Sequence, residues 1–124
     1  MNEDSWRVRL ELPAENRYLH IVRLTASGAA AEAGLDAAEV EDVKIAVDEL
    51  CSVFIAAASA EDQLVVDFTS GRAGLNVVVH VPAGEEPEID ELGQAIIAAT
   101  VDSIEFEPAA NGGEYRLTKS HRGG

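Results

Sequence analysis

Apolar and polar residues alternate at the start of the chain. Trp6, Val8, Leu10 and Leu12 are apolar, and the residues between them are charged. This period of two predicts a half-buried β-strand, because successive side chains of a strand point to opposite faces of a sheet. Pro13 is expected to end the strand, since proline lacks the N–H that a sheet needs.

Two helical patterns follow this strand. The first is predicted over residues 16–33, after which Gly34 is a typical C-terminal stop. The second is predicted over residues 37–58, because Asp36 and Glu39 have the spacing of a capping box. Apolar residues at helical spacings predict one buried face on this second helix; they are Val40, Val43, Val47, Leu50, Cys51, Phe54 and Ala58.

The second half of the chain is predicted to be mostly sheet. Apolar runs at 64–69 and 75–81 flank a glycine-containing turn and predict an antiparallel hairpin. A third helix is expected over 89–100, and closing strands over 103–107 and 114–119. In the resulting order, β-α-α-β-β-α-β-β, strands and helices do not strictly alternate. This order therefore predicts an α+β fold, with helices on one face of a mostly antiparallel sheet.

Length, charge and targeting signals limit the number of domains, the type of partner and the location in the cell. A chain of 124 residues without a repeat predicts a single domain over 1–124, with a frayed tail at 120–124. The 9 Lys and Arg against 23 Asp and Glu give a net charge of −14, which disfavours nucleic acid and favours a basic protein partner. The absence of a long apolar run, a signal peptide and a cysteine pair predicts a cytoplasmic protein that does not enter a membrane.

Glu49 and Arg23 are the candidates for a functional role. Glu49 lies away from the centre of the apolar stripe of the second helix, so it could point into a cleft; a solvated carboxylate is the alternative. Arg23 lies within the first helix, where the alternative is an ordinary ion pair with an acid. The histidines lack metal-ligand spacing, and Cys51 has apolar surroundings, so neither a metal site nor a cysteine nucleophile is predicted.

Two segments of the chain together resemble a known family. Residues 21–28 (IVRLTASG) and 42–52 (DVKIAVDELCS) are similar to the anti-sigma factors of the stress-response and sporulation type. These are small serine kinases of the GHKL, or histidine-kinase-like ATPase, group, and the predicted order of elements is also theirs. The resemblance implies a two-layer α/β sandwich of the GHKL (Bergerat) type.

The resemblance also implies partners and site residues. Such proteins are cytoplasmic homodimers that sequester an alternative sigma factor of RNA polymerase. They release it when a STAS-domain antagonist competes for the same surface, and active members phosphorylate a serine of the antagonist with ATP and Mg²⁺. On this basis Glu49 is the catalytic base and a nucleotide contact, Arg23 is a partner contact, and Gly93 ends the last nucleotide-binding glycine box.

The nucleotide site departs from the family pattern at several positions. Val53 replaces the asparagine that holds Mg²⁺ and offers the metal no oxygen. Val81 replaces the aspartate that binds the adenine amine, and losing such a polar partner costs about 1–3 kcal/mol. Few residues remain for the glycine-rich lid between Val81 and the third helix.

Three functions remain open on these grounds. The favoured interpretation is an anti-sigma factor-like regulator that acts by protein contact and is not an enzyme. It predicts no resident metal or firmly bound cofactor, and at most weak ATP binding. The alternatives are a divergent ATP-binding serine/threonine kinase that phosphorylates the antagonist, and a GHKL-like scaffold that pairs with a true kinase.

Overall fold

A computed structural model describes residues 6–59, 61–72, 74–81, 88–109 and 112–122 of the chain. Within these ranges the chain forms five strands and three α-helices. In chain order they are β1 (Arg7–Pro13), α1 (Leu19–Glu32), α2 (Ala37–Ala57), β2 (Gln63–Ser70), β3 (Gly74–Val81), α3 (Glu91–Thr100), β4 (Ser103–Ala109) and β5 (Gly112–Ser120). The predicted element order and the α+β class are therefore confirmed.

The five strands form one antiparallel sheet in the order β1-β2-β3-β5-β4. One row of paired residues shows how the register builds the core: Leu10, Val66, Val79, Tyr115 and Phe106 lie side by side across all five strands. Because paired residues share a face, this register places most apolar residues of the strands on the same side of the sheet, and Val65 and Val78 are exceptions on the polar side.

The three helices cover that apolar face, and α2 packs against both α1 and α3. Val43, Val47 and Leu50 of α2 are fully buried, as the predicted apolar stripe requires. The opposite face of the sheet is largely polar, which is typical of an antiparallel sheet with one face packed and one face towards water. None of the helices in the described part of the chain combines the length and apolarity needed to cross a membrane.

Acidic caps determine where α2 and α3 begin. Asp36 accepts a hydrogen bond from the backbone N–H of Glu39, whose carboxylate accepts one from the backbone N–H of Asp36, both at 2.8 Å. This is the predicted capping box. Asp90 caps α3 in the same way by accepting from the backbone N–H of Gly93 at 2.7 Å.

Two helix starts differ from the prediction. The first helical segment divides into a 3-10 turn at Asn16–Tyr18 and then α1. The third helix begins two residues late because Asp90 is an extended N-cap residue, with φ −69° and ψ 172°. Ile89, just before it, is buried in the core.

The prediction of a frayed tail is wrong for residues 120–122. Ser120 belongs to β5, and its N–H donates to Asp102 Oδ2 at 2.7 Å. His121 and Arg122 both bind the carboxylate of Glu39. Contacts with residues far away in the sequence hold this segment, and they are invisible to a local pattern. Residues 123–124 lie outside the described part.

Candidate functional site

Glu49 and Gly93 lie beside each other where α2 meets the start of α3. Glu49 is half-buried, and a Cβ placed on Gly93 would be 3.2 Å from its Oε2. The same Cβ would be 2.9 Å from Cγ2 of Ile89, so a side chain at position 93 would crowd both neighbours. The fold thus brings together the two residues that the resemblance assigns to a nucleotide.

The start of α3 is strongly acidic. The N-terminus of a helix attracts phosphate because its N–H groups are free and its dipole is positive there. Here the N–H of Gly93 already donates a hydrogen bond to the carboxylate of Asp90 and is not free for a phosphate. Glu88 and Glu91 are exposed on either side of Asp90, so a phosphate would meet negative charge.

The donor groups around Glu49 do not fit a Mg²⁺–nucleotide complex. Val53 is partly buried, and its hydrocarbon side chain packs against the core. A valine at this position gives a hard cation no oxygen ligand. The side chain of Val81, the predicted replacement of the adenine-binding aspartate, lies outside the described part. Val53 and the acidic start of α3 are the two features that do not fit a bound Mg²⁺–nucleotide complex.

Arg23 forms an ion pair across the outer surface of α1 and α2. Its Nε donates to Asp48 Oδ1 at 2.8 Å, and both side chains are exposed to solvent. Leu24, next to Arg23 in the sequence, is 71% exposed, and Ile45, one helical turn before Asp48, is 40% exposed. We call these four residues the α1/α2 face. They combine a charge pair with two apolar side chains that are not buried in the core.

Neither Leu24 nor Asp48 stood out from the sequence. The sequence did contain a signal for the exposure of Leu24. This residue lies two residues from both Val22 and Ala26, which are buried on α1, so it points away from their side of the helix. An apolar residue off the buried stripe of a helix points to solvent. The partner of Arg23 was not identifiable, because the pair joins residues that are 25 positions apart.

A second charge cluster lies on the polar face of the sheet. Asp67 is almost completely buried and accepts hydrogen bonds from Arg9 Nε and Nη2, both at 2.9 Å, and from Arg7 Nε at 3.1 Å. Its Oδ2 also lies 2.8 Å from His80 Nε2. The Arg9 guanidinium holds the pKa of Asp67 well below its usual range. This cluster joins β1, β2 and β3 and has a structural role.

A third cluster surrounds Glu39, which is fully buried. Oε1 of Glu39 accepts from the N–H of Asp36 and lies 2.7 Å from His121 Nδ1, and Oε2 accepts from the N–H of Arg122 at 2.7 Å. Atoms of Asp36, Glu39 and His121 that could bind a metal lie within 4.8 Å of one another. Both oxygens of Glu39 are already used in hydrogen bonds, so the arrangement closes the start of α2.

Cys51 lies in the interior of α2 and is fully buried. Burial raises the pKa of its thiol to about 12. The thiolate is the reactive form of cysteine, so a thiol in this environment is chemically inert.

The comparison with known proteins agrees with the fold and with the two motifs. Residues 12–119 match the family model described as the histidine kinase-like ATPase domain. This chain belongs to the histidine kinase-like ATPase family.

Among its relatives in this family is the serine-protein kinase RsbW of Bacillus pumilus, 33% identical over 112 residues that cover 84% of this chain and 69% of the relative. RsbW of Bacillus subtilis is 32% identical over 111 residues, with the same coverage. The resemblance to the anti-sigma factor serine kinases is thereby confirmed.

A solved structure shares the fold. It contains the RsbU and RsbW domains of a Mycobacterium tuberculosis protein and superposes with a TM-score of 0.73 at 21% sequence identity. The match covers 93% of this chain but only 32% of that one. This histidine kinase-like ATPase domain therefore spans about a third of that longer chain.

Proposed function

We propose that this chain is an anti-sigma factor of the RsbW type that acts by protein contact and has lost the kinase reaction. It binds an alternative sigma factor of RNA polymerase, and a STAS-domain antagonist competes for the same surface. The observation that carries the proposal is the α1/α2 face, where the exposed Arg23–Asp48 pair is accompanied by two exposed apolar residues of the same helices, Leu24 and Ile45.

The composition of this face suits a protein interface. Arginine is among the residues that contribute most of the binding energy at interfaces, and an exposed apolar side chain adds to it when a partner shields it from water. Leu24 is unusually exposed for a leucine, and Arg23 is the residue that the family resemblance assigns to partner contact. The net charge of −14 adds long-range attraction to a basic partner, such as the DNA-binding surface of a sigma factor.

The loss of the kinase reaction is supported by the start of α3. Asp90 occupies the N–H of Gly93, and Val53 cannot bind Mg²⁺. One observation favours the alternative of a divergent kinase: Glu49, the residue matched to the catalytic base, remains next to Gly93. Nucleotide binding distinguishes the two functions.

Cell location, assembly and domain organisation complete the proposal. A sigma factor acts where RNA polymerase acts, so we place the protein in the cytoplasm, as a homodimer like the family it resembles. The match of one family model to residues 12–119 supports the interpretation of residues 1–124 as a single domain.

Partner binding is tested by reversing one charge on the α1/α2 face. Arg23→Glu should weaken binding to the cognate sigma factor by about thirtyfold or more, which corresponds to the roughly 2 kcal/mol or more that an interface hot spot contributes. Arg116→Glu is the matched control, because Arg116 is similarly exposed, also pairs with an acid, and lies on the polar face of the sheet. Isothermal titration calorimetry measures the affinity of each variant for the purified sigma factor. Equal affinities for the two variants would contradict the proposed surface.

Nucleotide binding is tested by thermal unfolding with millimolar Mg-ATP. A ligand at 100 times its dissociation constant adds about 2.7 kcal/mol to the free energy of unfolding. We expect no rise in the melting temperature. A rise that Gly93→Val abolishes would instead support the divergent kinase, because the new side chain would occupy the space beside Glu49.

A further inference from the structure

A groove of 890 Å³ lies between α3 and β4. Its apolar lining includes Ile97 on α3, Ile104 and Phe106 on β4, and Tyr115 on β5. Ile104 and Phe106 are only partly buried, and the Phe106 and Tyr115 rings are tilted at 51° to each other with their centroids 4.8 Å apart. The volume is in the range of sites that bind ligands or several residues of a peptide.

The strand that borders this groove is at the edge of the sheet. In the described sheet β4 pairs with β5 alone, so the backbone N–H and C=O groups on its other side have no strand partner there. Unpaired groups of this kind are a template for an added strand. A groove between an edge strand and a helix is also the geometry in which PDZ domains bind an extended peptide.

The charges around the groove determine what would complement it. Among the described lining residues the charged ones are Glu88 and Glu91, and both are exposed. On β4 itself the side chains alternate: Ile104 and Phe106 face the groove, whereas Glu105 and Glu107 are exposed on the other face. An added strand complementary to both faces alternates apolar and basic residues, since opposite charges on neighbouring strands attract.

We propose that this groove binds an extended segment of a partner protein in which apolar and basic residues alternate, and that the segment pairs with β4 as an additional strand. Its apolar side chains cover Ile104 and Phe106, and its basic side chains, on the opposite face of the added strand, meet the carboxylates of Glu105 and Glu107. The site is separate from the α1/α2 face, because α2 packs between α1 and α3. A negative result for this groove would therefore leave the proposed anti-sigma activity unaffected, and the reverse also holds.

The first experiment uses a fluorescent seven-residue peptide, KVKVKVK, with blocked ends, and measures its anisotropy with the full chain. The control peptide, KKKKVVV, has the same composition and charge but cannot segregate its residues onto two faces. We expect the alternating peptide to bind at least about tenfold more tightly. Equal binding would show simple attraction to an acidic protein and would overturn the proposal.

The second experiment locates the peptide with two charge-matched variants. Glu105→Lys combined with Glu107→Lys should weaken binding of KVKVKVK by about tenfold or more, because these two exposed carboxylates lie on the face of β4 that the lysine side chains meet. The control combines Glu32→Lys with Glu61→Lys, which makes the same change in net charge at exposed positions outside β4 and outside the groove. An equal loss in both variants would overturn the assignment of the groove.

The third experiment tests strand pairing directly. Two forms of the peptide carry N-methyl groups on alternate residues, one form on each edge of the extended chain. Pairing with β4 requires that one form binds and the other does not; equal behaviour contradicts it. Hydrogen exchange provides the location, because the peptide should slow exchange at residues 103–107 of β4. Slower exchange at β1, the other edge strand, would overturn the proposal.

Discussion

At the scale of single residues, Glu39 is the most deeply buried charged residue in the described part of the chain. It is completely buried and its carboxylate binds the N–H groups of Asp36 and Arg122 and the ring of His121. A backbone hydrogen bond from Asp36, followed by the contact with His121, lowers the pKa of Glu39 from 4.5 to about 2. One carboxylate therefore starts α2 and also holds the end of β5 against it.

This pKa predicts how stability depends on pH. Because the folded pKa of Glu39 is below its ordinary value of 4.5, its contribution to stability is complete above about pH 4.5 and is lost as the pH falls towards about 2. Glu39→Gln removes the charge, so the variant should be less stable than the wild type at pH 7 and should lose less stability on acidification. Urea unfolding at pH 7, 5, 4 and 3 measures the difference.

An exposed carboxylate provides the control for this experiment. Glu32→Gln changes the charge equally at the end of α1, and its pH profile should follow that of the wild type. The acid sensitivity that remains in Glu39→Gln is expected from Asp67, whose pKa is also lowered and whose contribution is lost in the same direction. A profile of Glu39→Gln that runs parallel to the wild type would contradict the role of Glu39.

At the scale of elements, two glycines have opposite surroundings. Gly74 begins β3 where that strand meets β5, and a Cβ there would overlap the carbonyl oxygen of Lys119. Gly28 lies inside α1 and, apart from its chain neighbours and the backbone of its own helix, no atom lies within 4 Å of the position of a Cβ. The first glycine is required by the close approach of two strands, whereas the second only lowers the helix propensity of α1.

This contrast predicts opposite effects of the same substitution. Gly74→Ala should destabilise the protein by about 1–3 kcal/mol, because β3 and β5 must separate to admit the methyl group. Gly28→Ala should stabilise it by about 0.5–1 kcal/mol, since alanine favours the helix and restricts the unfolded chain. Thermal and urea unfolding of the two variants test this, and changes of the same sign would contradict the packing described for Gly74.

At the scale of the whole molecule, the net charge of −14 affects both stability and binding. The excess carboxylates repel one another in the folded state, and salt screens this repulsion. The same screening weakens attraction to a basic partner, mostly by slowing association. Salt should therefore act in opposite directions on the free protein and on its complex.

The prediction for the free protein is a melting temperature that rises by about 3–5 °C between 10 mM and 500 mM NaCl, which corresponds to about 1 kcal/mol. The affinity for the sigma factor should fall over the same range. A scan near the pH at which the net charge is zero is the control, because there the effect of salt on the free protein should disappear. A melting temperature that falls with salt at pH 7 would show that local ion pairs outweigh the net repulsion.

The sequence alone determined those features that depend on neighbouring residues. The period of two in residues 6–12 and the apolar stripe of α2 are local patterns, and each specifies one buried face. The capping box at Asp36 and Glu39 also lies within a single turn. These patterns were sufficient for the element order, for the α+β class and, with the two motifs, for the family.

The tertiary structure decided which distant residues meet. The Arg23–Asp48 pair, the position of Gly93 beside Glu49 and the binding of residues 121–122 to Glu39 all depend on the path of the chain. The groove exists because β5 inserts between β3 and β4 and leaves β4 at the edge. A periodic pattern specifies which face of an element is buried but not its neighbours, because many arrangements bury the same apolar surface equally well.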